Sequence, residues 1–283
     1  MQNEGSGMKG LVLCADDFAV HAPASQGIAT LAARGRISAT SAMVLSPRWA
    51  QDVALLQDLR GRIDVGLHLD WTSDFAVGHG HGMSLGAAMR KAWLGGFDPV
   101  AARRVIEHQL DAFEAEWKAP PDFVDGHQHV QQFAGIRQTL VQVLASRYST
   151  SGGPRPYLRI SRAPSGTADL KSRVIAAMGA NALEKIANTS GFTGATALSG
   201  IYDFSGNEAR YARHMAHWLS TAPPGSIIMC HPARSAEPGD AIGSARAREF
   251  AYLSGDDFSR ALAHAKVQIV RGMFTQTERS AGR

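Results

Sequence analysis

The chain has 283 residues, 45% of them hydrophobic and 19% charged, with a formal net charge of +4. That length suits one large domain with a full core, and single α/β barrels often occupy this size range. No run of eighteen apolar residues is present, which argues against a membrane-spanning helix, and no Lys/Arg-rich run of five points to nucleic acid, so the modest positive excess reads as a solvated surface.

In chain order, the lead "MQNEGSGMKG" lacks the apolar core of a secretory signal. A cytoplasmic location is expected, with residues 1–7 disordered. "LVLCA", Leu11 to Ala15, is apolar on both faces and suits a strand buried in a parallel sheet. It runs straight into two adjacent carboxylates, Asp16 and Asp17. Two like charges side by side are costly to bury unless one is neutralised or protonated. A helix is expected from Pro23 to Arg34, a β-rich stretch from Ile37 to Leu45, helical spacing from Arg48 to Arg60, and a strand from Ile63 to Asp70. The following "GHGHG" carries His79 and His81 in a glycine-rich loop without rigid support, and reads as plain loop over the site rather than as ligands.

Pro99 to Trp117 is predicted helical, with Pro in the first turn. "DFVDGHQHV", Asp122 to Val130, is predicted as a strand, then Gly135 to Tyr148 as a helix and Tyr157 to Ser161 as a strand. Asp169 to Asn188 reads as mostly helical, and Thr189 to Phe204 as irregular. A buried strand from Gly225 to Ala233 precedes two helices, Ala245 to Leu253 and Asp257 to Ala265, and a last strand, Lys266 to Gly272. Residues 275–283 are expected to form a flexible tail. Cys14 and Cys230 both fall in strands and read as buried free thiols in a reducing compartment.

Repeated strand-then-helix order argues for a parallel α/β fold. Six to eight such units without a Gly-rich dinucleotide fingerprint favour a barrel over a doubly wound sheet. No composition break marks a boundary, so residues 8–274 are expected to form one domain.

Active sites of parallel α/β folds sit at the C-terminal ends of the strands. Here those ends carry Asp16 and Asp17, then His68 and Asp70, then Asp125, His127 and His129, then Arg159, and finally His231. A lone histidine in a strand is more often a hydrogen-bonded core residue than a ligand, but five strands delivering such groups to one rim is not a random scatter. One carboxylate and two imidazoles from different strands make a facial set for a divalent metal. Such an ion polarises a carbonyl and activates water, a second carboxylate can act as base, and a further histidine can protonate a departing amine. Adjacent residues on a strand point to opposite faces, so the first strand must break at about Asp16 for both aspartates to reach the site. His127 and His129, two apart, can point the same way without a break.

"ADDF", "GLHLD", "DGHQHV" and "MCHPA" occur in this order, and the chain resembles the YdjC-like carbohydrate deacetylases, which include chitooligosaccharide (diacetylchitobiose) deacetylases. The similarity runs from about Met8 to Gly272. It implies a distorted (β/α) barrel related to polysaccharide deacetylases, and hydrolysis of an N-acetyl group on an amino sugar or short oligosaccharide with one divalent ion, Mg²⁺ or Zn²⁺. Carried over by resemblance, Asp17, His68 and His127 hold the metal, Asp16 is the general base, His231 serves the leaving group, and Arg159 positions or neutralises a carboxylate. His129, Asp70 and Asp125 are left for substrate contact. Family members usually have Gly where Ala19 stands, which matters only if that residue has φ > 0. Gln131 stands where another His is common, and it cannot ligate or titrate as His does. The implied partner is a small N-acetylated sugar, with no nucleic acid or membrane, and exposed helix faces leave a homodimer open. A metal-dependent phosphoesterase, or a catalytically silent carbohydrate-binding homologue, are the alternatives.

Overall fold

The computed structural model describes residues 7–148 and 155–272. Residues 1–6 and 273–283, where a disordered lead and tail are expected, lie outside the described residues. Eight strands are present among them: β1 (Lys9–Phe18), β2 (Ala39–Ala42), β3 (Asp64–Leu69), β4 (Phe123–Gly126), β5 (Tyr157–Leu158), β6 (Leu198–Ser199), β7 (Ile227–Cys230) and β8 (Val267–Ile269). Their order is β5-β4-β3-β2-β1-β7-β6, with β8 on the start of β1, and the pairings are parallel.

The two ends of this path also meet. Leu158 N–H donates to the Thr193 carbonyl at 2.9 Å, Ala195 N–H donates to the Leu158 carbonyl at 3.3 Å, and Leu198 N–H donates to the Arg162 carbonyl at 2.7 Å. The sheet therefore closes into an α/β barrel along an irregular seam. Pro156 and Pro164 flank β5 and have no N–H to extend a ladder there.

Alternation along β1 explains why it is apolar on both faces. Leu11, Leu13 and Ala15 pack in the larger cluster with Ile28 and Leu31 of the helix Ala22–Ala33. Val12 and Cys14 pack in a separate cluster with Phe123, Tyr157, Ile227 and Met229 of the other strands. Even-numbered residues thus fill the barrel and odd-numbered ones face the helices, as period-two geometry requires.

Several local expectations change. The strand expected to reach Val130 stops at Gly126, and residues 127–132 form a 3₁₀ turn in which Gln128 and His129 have φ of 52° and 63°. The expected helix from Asp169 to Asn188 is two helices, Leu170–Ala177 and Ala180–Thr189. Gly179 breaks them at φ 133°, where an added Cβ would lie 2.2 Å from the Gln132 carbonyl oxygen. The helical spacing of Arg48 to Arg60 becomes one α turn, Trp49–Asp52, followed by 3₁₀ helix to Leu59. Helices Leu85–Trp93 and Glu208–Thr221 occupy stretches for which no helix is expected above.

Candidate active site

β1 delivers both aspartates by two different means. Asp16 has the parity of Val12 and Cys14 and points into the barrel mouth as ordinary alternation dictates. Asp17 would by parity face the helices, but its φ is 65°, and the register of β1 on β2 shifts between Ala15 and Phe18. The expected break in the strand is therefore present, as a bulge at Asp17. Ala19 also lies in the left-handed region, at φ 73°. An L-residue there bears about 1–2 kcal/mol that glycine would not. The turn is held by its neighbours: Ala19 N–H donates to Ser25 Oγ at 3.1 Å, and its carbonyl accepts from Ser46 Oγ at 2.7 Å.

Turned inward, Asp17 Oδ1 stands 3.3 Å from His68 Nε2 and 3.1 Å from His127 Nδ1. The three residues offer ligand atoms all within 4.8 Å of one another. Donors about 2.0–2.2 Å from a shared ion, at right to tetrahedral angles, would be separated by about 3–3.5 Å. The set fits a divalent metal in spacing and in chemistry. Behind it, His68 Nδ1 pairs with Asp125 Oδ1 at 2.6 Å and meets Ser41 Oγ at 3.0 Å. This is the carboxylate–histidine arrangement that fixes a ligand's ring and leaves Nε2 as the coordinating atom. Burial disfavours charge on His68, yet Asp125 outweighs it, and the imidazole is pushed up to about 10.

Asp16 is held otherwise. Arg159, fully buried just beyond β5, donates from Nη1 to Oδ1 at 2.7 Å and from Nη2 to Oδ2 at 2.9 Å. The same Nη2 lies 2.9 Å from Asp125 Oδ2. Burial raises the Asp16 carboxyl, but Arg159 and then His68 outweigh it, holding the group well below the usual carboxylate range. On the other flank, His231 Nε2 is 3.9 Å from Asp16 Oδ2. Its backbone N–H donates to Glu249 Oε2 at 2.6 Å. Burial keeps His231 below its ordinary value, against the pull of Asp17 and Asp16.

These groups open onto a cleft of about 570 Å³. Asp16, Asp17, His68, His127, His129 and His231 line it, with apolar walls that include Leu85, Phe133, Ile175 and Met229. His129 reaches the cleft through the left-handed turn, not along a continuing strand, and its Nδ1 meets Ser161 Oγ at 3.0 Å.

Two residues expected to contact substrate do not face it. Asp70 is spent on the turn after β3, accepting from the backbone of Thr72 and Ser73 and from Ser73 Oγ. Asp125 is fully buried behind His68 and Arg159. Gln131 is buried too and donates to the Arg159 carbonyl and to Ser161 Oγ, each at 3.1 Å. His79 and His81 belong to a loop packed elsewhere: His81 Nε2 meets the Asp70 carbonyl at 3.2 Å, and His79 lies against His108.

Arg246 is the residue that sequence reasoning missed. It lies on the helix Gly243–Ser254 and donates from Nη2 to Asp17 Oδ2 at 2.7 Å and from Nε to Asp240 Oδ2 at 2.7 Å. His21 Nε2 meets the same Asp240 oxygen at 3.1 Å. Its only sequence signal is the segment "ARAREFAYL", which has no strand end to point to it.

The profile of a family described as "YdjC-like protein" matches residues 10–264. No curated protein matches the chain. A crystal structure from Enterococcus faecalis V583, of a proposed cellobiose-phosphate cleavage protein, superimposes with a TM-score of 0.68 at 16% identity, covering 94% of this chain and 98% of that one. The Xyl-CE4 domain of a multidomain xylanase from the hindgut metagenome of Trinervitermes trinervoides gives 0.49 at 9% identity, covering 98% and 93%. A family 4 acetyl xylan esterase from Clostridium thermocellum, in complex with a cobalt ion, gives 0.49 at 10% identity, covering 93% and 88%. The first of these likenesses carries the fold.

Proposed function

The chain belongs to the YdjC-like protein family, and from that premise we propose that it is a metal-dependent hydrolase that removes an N-acetyl group from an amino sugar or short N-acetylated oligosaccharide. The observation that carries the proposal is the facial set of Asp17, His68 and His127 at the cleft, with a second carboxylate, Asp16, clamped beside it. Asp17, His68 and His127 would hold one Mg²⁺ or Zn²⁺. When bound, that ion would supply Lewis acidity and make a nearby water easier to deprotonate.

The chain's own groups divide the remaining work. Asp16 is the base: Arg159 pins both its oxygens, so its lone pairs face the cleft in one orientation. A carboxylate so stabilised is a weak base, and it suits a water already made acidic. His231 starts neutral and stands 3.9 Å from Asp16, on a short route for the proton from Asp16 to the departing amine. Water adds to the acyl carbon, the C–N bond breaks, and acetate and the free amino sugar leave. His129 borders the cleft and is the remaining candidate for substrate contact. The apolar walls suit sugar faces, with few polar groups setting orientation. The polypeptide from 8 to 274 would act as one domain in the cytoplasm, alone or as a homodimer.

Acetate release over a panel of N-acetylated mono- and oligosaccharides, with and without chelator, tests the assignment. Chelator-sensitive release from at least one sugar is expected. No release across the panel, with the metal shown to be bound, would remove the assignment in favour of a binding homologue. Phosphate release from sugar phosphates with more than one ion per chain would favour a phosphoesterase.

A further inference from the structure

Arg246 has three guanidinium nitrogens, and the structure accounts for two. Nη2 is committed to Asp17 and Nε to Asp240. Asp240 is itself tied to His21 and accepts the Ile242 N–H at 3.0 Å, so the guanidinium is held as a rigid plate. Its side chain is only 4% exposed and borders the cleft. Nη1 is buried and has no hydrogen-bond partner among the described residues. A buried cationic donor left unpaired is costly, and a native structure tolerates it where a ligand completes it.

We propose that Arg246 is a catalytic residue whose Nη1 donates to the acyl oxygen of the substrate and, after C–N cleavage, to the carboxylate of the released acid. The inference rests on the hydrolase reading above and deepens it. The donor forms and breaks no covalent bond. It meets an oxygen that gains negative charge as water adds to the acyl carbon, which is where a fixed donor stabilises most. Arg246 meets Asp17 at Oδ2, whereas His68 and His127 both meet Oδ1. It would act as a second electrophilic group beside the metal, without competing for the metal's ligands.

The test uses the full chain, its Arg246→Met and Arg246→Lys variants, and acetate as probe. Each protein is titrated with Mg²⁺ alone to find saturation, and acetate is then titrated in at saturating Mg²⁺ by calorimetry. Acetate affinity should fall about tenfold or more in both variants, because Lys cannot keep the Asp17 and Asp240 bonds and still present the third nitrogen. The turnover rate for acetyl release at saturating Mg²⁺ should fall about a hundredfold or more. Acetate affinity and turnover that recover fully once Mg²⁺ is saturating would overturn the proposal, leaving Arg246 to position Asp17 alone. Absence of acetate binding to the wild-type protein would overturn it as well. Acetate binding that depends on Arg246, in a protein that releases no acetate from any sugar, would keep Nη1 as a carboxylate donor but overturn its catalytic role together with the deacetylase reading. Should both variants fail to fold, the arginine Nη resonances of the wild-type protein decide: a shift of one Arg signal on adding acetate at saturating Mg²⁺ supports the proposal, and no shift overturns it.

Discussion

Arg159 spans the barrel mouth from the end of β5 to the end of β1 and grips both oxygens of Asp16, at 2.7 and 2.9 Å. Residues 143 apart in sequence are joined by a buried forked ion pair. Arg159 also neutralises Asp125, so one guanidinium serves two buried carboxylates.

Arg159→Met should therefore leave buried Asp16 without its forked cation and Asp125 with His68 as its remaining one. A loss of about 3–5 kcal/mol is expected, read by denaturant titration. Arg159→Lys should recover only part of it, because an ammonium lacks the planar fork. A loss below about 1 kcal/mol for Arg159→Met would count against the ion-pair account.

Substitution at the two aspartates should split two functions. Asp16→Asn is expected to bind a divalent ion about as the wild type does and to lose acetate release. Asp17→Asn should lose both, since its Oδ1 is the atom that both histidines face. Metal content and acetate release measured on the same preparations check this. Unchanged release by Asp16→Asn would sink its role as base.

Metal binding should release a proton. Without a metal, His68 is pushed up to about 10 from an ordinary value of 6.5, so the folded protein holds this proton at neutral pH. A raised histidine stabilises the metal-free fold fully below about pH 6.5, and that contribution is lost as pH rises through about 10. An ion at Nε2 must displace the proton, so metal affinity should rise with pH across the same window. Calorimetry in buffers of different ionisation enthalpy should show about one proton released at pH 7. Heats independent of the buffer would contradict the assignment of His68 as a ligand.

Chelation should lower thermal stability. An ion present at about a hundredfold above its Kd adds about 2.7 kcal/mol, which for a chain of this size corresponds to roughly 4–5 °C in Tm. The same chelator should not change the Tm of His68→Ala, which has already lost the site.

Gly200→Ala should be harmful although the added group is one methyl. Gly200 has φ of 99°, and a Cβ there would fall 2.1 Å from the Met229 carbonyl oxygen. β6 can lie this close to β7 only without a side chain. Destabilisation of about 1–3 kcal/mol or more is expected, with weakened activity because Ile201 and Met229 both wall the cleft. A variant with wild-type stability would show that the two strands separate freely.

How much of this was legible beforehand differs residue by residue. Pro99–Trp117 was recoverable to the residue, because a long amphipathic run with proline in its first turn is a local signal. The Glu208–Thr221 helix carried the same kind of signal, with Tyr211, Met215, Trp218 and Leu219 at i, i+4, i+7 and i+8 and charged residues opposite, so it too was legible although no helix was expected there. Asp70 stood at a strand end like the site residues, yet its carboxylate turned back onto its own loop. Strand-end position places a residue at the rim but does not aim it.

The sequence by itself determined the inventory: which carboxylates, imidazoles and guanidinium end the strands, and that Asp16, two residues beyond Cys14, shares its inward face. Period-two alternation is a local property of the backbone, and it can be read from order alone. Only the tertiary structure decided that Asp17 turns in at φ 65°, that Asp125 lies behind His68, and that Arg246 arrives at Asp17 from 229 residues away. A bulge resets the alternation, and a hydrogen bond between distant segments exists only once the barrel has closed. Neither leaves a periodic trace along the chain.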